Sequence, residues 1–156
     1  IDIIFDSTRA EIVAVEPGRG APTQPAVCEP GEGLAGFLSE RVRDGLRLPP
    51  DTLFHRTWTL YNGGPCRWEA PMELQFDRLY KGMRMSTVDR VSLEGQVLPR
   101  GTYSFTVPMR TPTVAGTHGE VWKLVDRTGK AVRLPNRDEV WMWIEVDTAH
   151  TRQRPF

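Results

Sequence analysis

The run Val140-Trp141-Met142-Trp143-Ile144-Glu145-Val146 constrains the fold more than any other stretch of the chain. In an extended strand successive side chains point to opposite sides. Val140, Met142, Ile144 and Val146 then share one wholly apolar face, while Trp141, Trp143 and Glu145 share the other. The same period of two recurs upstream. Met72, Leu74 and Phe76 alternate with Glu73, Gln75 and Asp77, one face in and one face out. Tyr103, Phe105, Val107 and Met109 alternate with Ser104, Thr106, Pro108 and Arg110, and Pro108, lacking an amide hydrogen, calls for an edge position or a bulge. Phe54–Tyr61 and Val121–Val125 read as further strands, and the last strand spans Glu139–Val146.

Turn residues separate these runs: Asn62-Gly63-Gly64-Pro65, Pro99-Arg100-Gly101 and Asp126-Arg127-Thr128-Gly129. The 14 glycines and 13 prolines among 156 residues are thus punctuation between short strands. No segment carries a capped helical period. Leu38–Leu46 has room for a helical turn or two, closed by Gly45 and Pro49-Pro50. Several short strands with turns every 10 to 20 residues or so predict an all-β fold, a two-sheet antiparallel sandwich or a barrel.

The organisation is simple. Residues 1–33 form an extended arm, with two β-prone runs (Ile1–Phe5 and Glu11–Val15) followed by a Pro- and Gly-rich linker from Glu16 to Gly33. Residues 34–147 are the compact domain and 148–156 a tail. Lys plus Arg and Asp plus Glu each number 20, so the net charge of zero gives no electrostatic reason for a nucleic-acid or anionic-membrane partner. No apolar run approaches the roughly 20 residues of a membrane span, and no signal-peptide pattern opens the chain. The first residue is not methionine, which reads as an excised fragment.

Cys28 and Cys66 lack the spacing of a zinc motif. One disulfide is possible; the plainer expectation is a buried thiol at Cys66, a tethered thiol at Cys28 and a reducing compartment. His55, His118 and His150 stand apart from other ligating residues and read as surface or structural. No metal and no cofactor are expected. Nucleophile elbows, phosphate-cradling glycine loops and carboxylate pairs in apolar settings are missing, so the chain is not expected to be an enzyme. Arg84, Arg90, Arg100, Arg110, Arg127, Arg133 and Arg137 read as solvated surface.

Four pieces in register resemble the four-tryptophan (FW) domain of the Nbr family of selective-autophagy cargo receptors. They are Leu48-Pro49-Pro50-Asp51-Thr52-Leu53-Phe54-His55-Arg56-Thr57-Trp58-Thr59-Leu60-Tyr61-Asn62, Gly64-Pro65-Cys66-Arg67-Trp68, the stretch Thr111–Leu124 around Gly116-Thr117 and Trp122, and Trp143-Ile144-Glu145-Val146. Together they span roughly residues 35 to 147. Carried over by position, the signature tryptophans are Trp58, Trp68, Trp122 and Trp143, with Trp141 an extra one. Ala115 and His118 depart from the family's Pro and Tyr, and the loop from Lys130 to Asp138 is longer. The resemblance implies an immunoglobulin-like sandwich and a protein or peptide cargo, such as soluble vacuolar hydrolases. It also implies a cytoplasmic, autophagosome-associated setting with delivery to the vacuole or lysosome, and no membrane contact by this domain.

Trp58, Trp68 and Trp122 are expected in the core. Trp141 and Trp143, two residues apart on an outward face, require either a covering segment or a partner. The runs Ile3-Ile4-Phe5 and Ile12-Val13 of the arm are candidates for that cover. Trp141, Trp143 and Glu145 are therefore the first candidate partner-binding residues, followed by Asp77 and by Arg133 in the 130–138 loop. Two other readings stay open: a carbohydrate-binding sandwich that stacks sugar rings on exposed tryptophans, and a spacer that binds nothing.

Overall fold

The computed structural model describes residues 25–134 and 139–147. Ten strands build it: β1 (Ala35–Arg41), β2 (Leu46–Leu48), β3 (Leu53–Asn62), β4 (Trp68–Glu69), β5 (Glu73–Lys81), β6 (Arg90–Ser92), β7 (Gln96–Val97), β8 (Thr102–Arg110), β9 (Gly116–Val125) and β10 (Val140–Val146). One sheet runs β1-β3-β8 and the other β2-β10-β9-β5-β6, with β4 and β7 forming a small ribbon. The architecture is the expected immunoglobulin-like sandwich. All pairings are antiparallel except β2 with β10, which is parallel.

Alternation decides what lies between the sheets. In β3 the in-phase residues Arg56, Trp58, Leu60 and Asn62 are buried. In β8 Phe105, Val107 and Met109 are buried, and in β10 all four of Val140, Met142, Ile144 and Val146 are. Trp58 and Trp122 meet across the core at 6.2 Å between ring centroids, and Phe76 stands edge-on to Trp122. Trp58, Trp68 and Trp122 are fully buried. Truncating any one of them would cost about 3–5 kcal/mol. Pro108 lies on β8, the outer strand of its sheet, where the carbonyl of Pro108 accepts from Thr87 N at 3.0 Å.

Two expectations are corrected here. Leu38–Leu46 is not helical: its first part belongs to β1, which pairs with β3 from Ala35↔Asn62 to Arg41↔Thr57, and Gly45 turns the chain into β2 at φ 81°. Sheet pairing outbids a short helical turn that has no caps. The cysteines are not thiols either, because Cys28 and Cys66 form a disulfide. Val27 bridges Arg67, and Cys28 N donates to Arg67 O at 3.0 Å, which brings the two Cα atoms to 4.9 Å, within disulfide reach. Closing a loop across 38 residues is worth about 4 kcal/mol in the chain-entropy account.

Residues 25–33 are thereby fastened to the domain. Arg67 N donates to Ala26 O and its guanidinium to Pro25 O, while Gly31 N donates to Asp126 Oδ2. Asp126 also accepts from Thr128 and Lys130 through Oδ1. Burial opposes its charge, but the hydrogen bonds from Thr128, Gly31 and Lys130 outweigh it and hold its pKa below the usual carboxylate value. The arm runs Ile3–Phe5 and Ile12-Val13, the loop positions 135–138, His150 and the tail lie outside the described residues.

Candidate functional site

The outward face of β10 is positioned from behind by the core. Trp58 Nε1 reaches across to Trp141 O at 3.3 Å, and Arg56 Nη2 donates to the same carbonyl at 3.0 Å. Arg56 is fully buried and also pairs with Glu40 at 2.7 Å and Asp44 at 3.1 Å, and it lies over the Trp58 ring at 5.0 Å. Burial lowers its pKa, with Asp44 and Glu40 working in the opposite direction. One guanidinium thus ties β3, β10 and the turn after β1 into a single frame. Its position was readable in principle: Arg56 stands in phase with Trp58 and Leu60, and a lone cation on an apolar register implies internal partners.

Trp141, Trp143 and Glu145 do point outward, each half-buried, while their neighbours point in. What covers them is local chain. Gly45 sits against the Trp143 ring, where a Cβ would come within 3.1 Å of the indole, and Gly45 N donates to Trp143 O at 2.9 Å. Asp44 Oδ1 accepts from Trp143 N at 3.3 Å. Trp141 meets Tyr80 of β5 with centroids 4.7 Å apart, and Tyr80 is 47% exposed. Between them Gly119 of β9 leaves the room: a Cβ there would fall 2.7 Å from Tyr80 Cδ2 and 2.8 Å from Met142 O. Thr117 Oγ1 donates to Glu145 at 2.9 Å.

Asp77 joins the same face at a register shift of β5 between Phe76 and Arg78. Arg78 bridges it to β10: its guanidinium bonds Asp77 Oδ2 and grips Glu139 through two oxygens at 2.8 and 3.1 Å. Glu139 also accepts from Trp141 Nε1 at 3.0 Å, and Lys123 approaches Asp77 at 3.4 Å. The hydrogen bond from Arg78 lowers the Glu139 pKa; burial opposes this and the Trp141 bond adds to it. Glu139 in turn raises the pKa of Arg78. The face therefore combines an aromatic pair, Tyr80 and Trp141, with a ring of matched charges, an arrangement suited to burying a partner's side chains.

Four of the five candidate residues, Trp141, Trp143, Glu145 and Asp77, come together on this sheet. Arg133 does not join them: it lies beside the start of β1, where its carbonyl accepts from Ala35 N at 2.8 Å. Tyr80, Arg78 and Glu139 complete the face and were not singled out from sequence. Their signal was faint, since β5 departs from strict alternation at the register shift.

Of two further buried residues, His118 takes a structural place, one of the two readings open to it, whereas Glu120 was not singled out from sequence. His118 and Glu120 are buried in phase with Trp122. His118 Nδ1 accepts from Met83 N at 2.8 Å, with Nε2 against Val114 O. Glu120 accepts from Trp122 Nε1 at 2.9 Å and from the amides of Met85 and Ser86. Together they clamp the loop between β5 and β6, which is a structural task. Among the arginines expected to be solvated, Arg84, Arg90 and Arg110 pair with Asp89, Glu73 and Asp51. Among the described residues no group of three or more His, Cys, Asp or Glu is placed to hold a metal ion, and no helix is long and apolar enough to cross a membrane.

The chain is thus a disulfide-tied immunoglobulin-like β-sandwich with one aromatic outer face. The family model described as "Ig-like domain from next to BRCA1 gene" matches residues 41–146, and the chain belongs to that family. The chain is similar to the human "Next to BRCA1 gene 1 protein", 26% identical over 135 residues, which is 86% of this chain and 13% of that protein. It is also similar to "Protein ILRUN" of Danio rerio, 27% identical over 106 residues, covering 68% of this chain and 35% of that one. It therefore spans a small part of either relative. Among solved structures, the CARDB domain of PF1109 from Pyrococcus furiosus shares the fold, with a TM-score of 0.50 at 11% identity over 75% of this chain and 95% of that one.

Proposed function

We propose that this domain is a protein-binding module that recognises cargo for a selective-autophagy receptor, and that its contact face is the outer surface of the β10-β9-β5 sheet. The supporting observation is the Tyr80–Trp141 pair: two aromatic rings held in a fixed frame at a surface, with Tyr80 about half exposed. Large rigid aromatics of this kind supply contact area at low entropic cost. The partner is a folded client or an extended client terminus, of the class of soluble vacuolar hydrolases. Trp143, Glu145 and Asp77 border the contact, and the setting is cytoplasmic, with delivery to the vacuole or lysosome.

The test is a binding titration of purified soluble vacuolar hydrolases against the full chain and its Tyr80→Ala and Trp141→Ala variants, with folding checked by thermal unfolding. The reading expects at least about tenfold weaker binding in each folded variant. Unchanged affinity in folded variants would sink the assignment of the face.

The Cys28–Cys66 disulfide favours a second reading of the setting. Disulfides persist in oxidising compartments and are rare in the cytosol, so the same binding face would operate outside the reducing cytoplasm. Alkylation of free thiols in freshly lysed cells, read by mass, separates the two. Two alkylated cysteines support the cytoplasmic setting; none supports the oxidising one.

A further inference from the structure

We infer that the outer edge of β1 is a second docking site, one that takes an extended acidic peptide as an added strand. β1 is the terminal strand of its sheet and pairs only with β3. Its first amide on the open side, Ala35 N, is taken by Arg133 O. Beyond it, from Gly36 to Arg41, no described residue bonds the edge apart from the pairing with β3. Such an edge is a template for another strand, and folded proteins ordinarily blunt it with charge, proline or cover.

Other edges are shorter or partly backed. β2 is three residues long and runs into Pro49-Pro50, β6 is three residues long, and β8 carries Pro108 and is backed by Met85, Ser86 and Thr87 over Pro108–Arg110. On β1, by contrast, the middle of the edge carries exposed apolar side chains, Phe37 at 50% and Leu38 at 57%.

Charge selects the occupant. Arg47, Arg78, Arg84, Arg90, Arg110 and Lys123 each have a carboxylate partner. Arg133 at the start of β1 and Arg41 and Arg43 at its end are exposed and, like Lys81, Arg100, Arg127 and Lys130, have none among the described residues, but only Arg133, Arg41 and Arg43 flank the Phe37–Leu38 stretch of edge. The carboxylates next in sequence to Arg41 and Arg43, Glu40 and Asp44, are committed to Arg56. An apolar stretch of edge with unpaired cations at both ends fits a guest strand whose apolar residues meet Phe37 and Leu38 and whose acidic residues meet the arginines. The site is separate from the aromatic face and does not depend on that assignment.

The test is an amide NMR titration of the full chain with an acetylated, amidated heptapeptide Glu-Val-Asp-Val-Glu-Val-Asp, beside its Lys-Val-Lys-Val-Lys-Val-Lys counterpart. Saturable shifts of the Gly36–Arg41 amides with the acidic peptide alone, weakened by salt, support the site. The Arg41→Glu, Arg133→Glu double variant is expected to bind at least about tenfold more weakly. Leu38→Pro, which blocks added-strand pairing at an exposed position, is expected to abolish binding, whereas Trp141→Ala leaves it unchanged. Shifts centred on Tyr80 and Trp141, equal binding of the lysine peptide, or no shift in the β1 amides would overturn the proposal. So would concentration-dependent dimerisation of the free chain that Leu38→Pro removes, since a second copy would then be the occupant.

Discussion

The two outer faces of the sandwich are made by the same period-two rule yet differ in kind. Over the three-stranded sheet, Thr57 Oγ1 and Thr106 Oγ1 pair at 2.9 Å and Thr59 Oγ1 and Ser104 Oγ at 2.7 Å, a ladder of small hydroxyls bonded to one another. Over the five-stranded sheet, the corresponding positions carry Tyr80, Trp141 and Trp143, cushioned by Gly119 and Gly45 and fenced by Arg78, Glu139, Asp77 and Lys123. Hydroxyls lose little by facing water and add little by being covered. Tryptophans gain from being covered, and roughly 25 cal/mol per Å² of apolar surface is there to be gained. The asymmetry supports the proposal that the second face, rather than the first, is the contact.

Four changes would break or sharpen that contrast. The largest effect on stability is expected from Gly119→Ala. Its Cβ would meet a backbone oxygen and the Tyr80 ring within 3 Å, so the strands must shift. Denaturant unfolding should show a loss of about 1–3 kcal/mol, together with exposure of the tryptophans in fluorescence. Trp141→Ala comes next, at about 1–2 kcal/mol, because the ring is half-buried and its tilted contact with Tyr80 is lost while its backbone frame remains.

Acid should act on the aromatic face more weakly. Because the folded Glu139 pKa lies below its unfolded value, its contribution is full above the unfolded pKa and fades as pH falls through the folded one. Thermal unfolding from about pH 5 down to about pH 3 should therefore fall more steeply for the native chain than for Glu139→Gln. The smallest effect belongs to Thr59→Val on the other face. Losing one exposed hydroxyl bond should move stability by no more than about 0.5 kcal/mol. A loss several times larger would show that the hydroxyl ladder carries more than a wetted wall should.

Much of the sandwich was legible because alternation is a property of the chain itself. β10 reads correctly residue by residue: four apolar side chains in, two tryptophans and a glutamate out. The same logic, applied to charges, would have found Arg56 and Glu120, which sit in phase with Trp58 and Trp122. What alternation cannot carry is proximity between distant segments. The Cys28–Cys66 bond depends on Val27 bridging Arg67, and the cover over Trp143 depends on Gly45 entering a parallel pairing of β2 with β10. Neither pairing leaves a local pattern. Arg133 stands apart from the other four candidates for the same reason: its segment meets the start of β1 through a backbone bond to Ala35 that no spacing announces.

The most direct measurement is hydrogen exchange of the full chain with and without a purified client, read by mass at peptide resolution. The account predicts slowed exchange over 78–81 and 139–145, with 55–61 and 102–106 unchanged. Protection of the hydroxyl-ladder strands instead, with the Tyr80 and Trp141 segments unaffected, would contradict it.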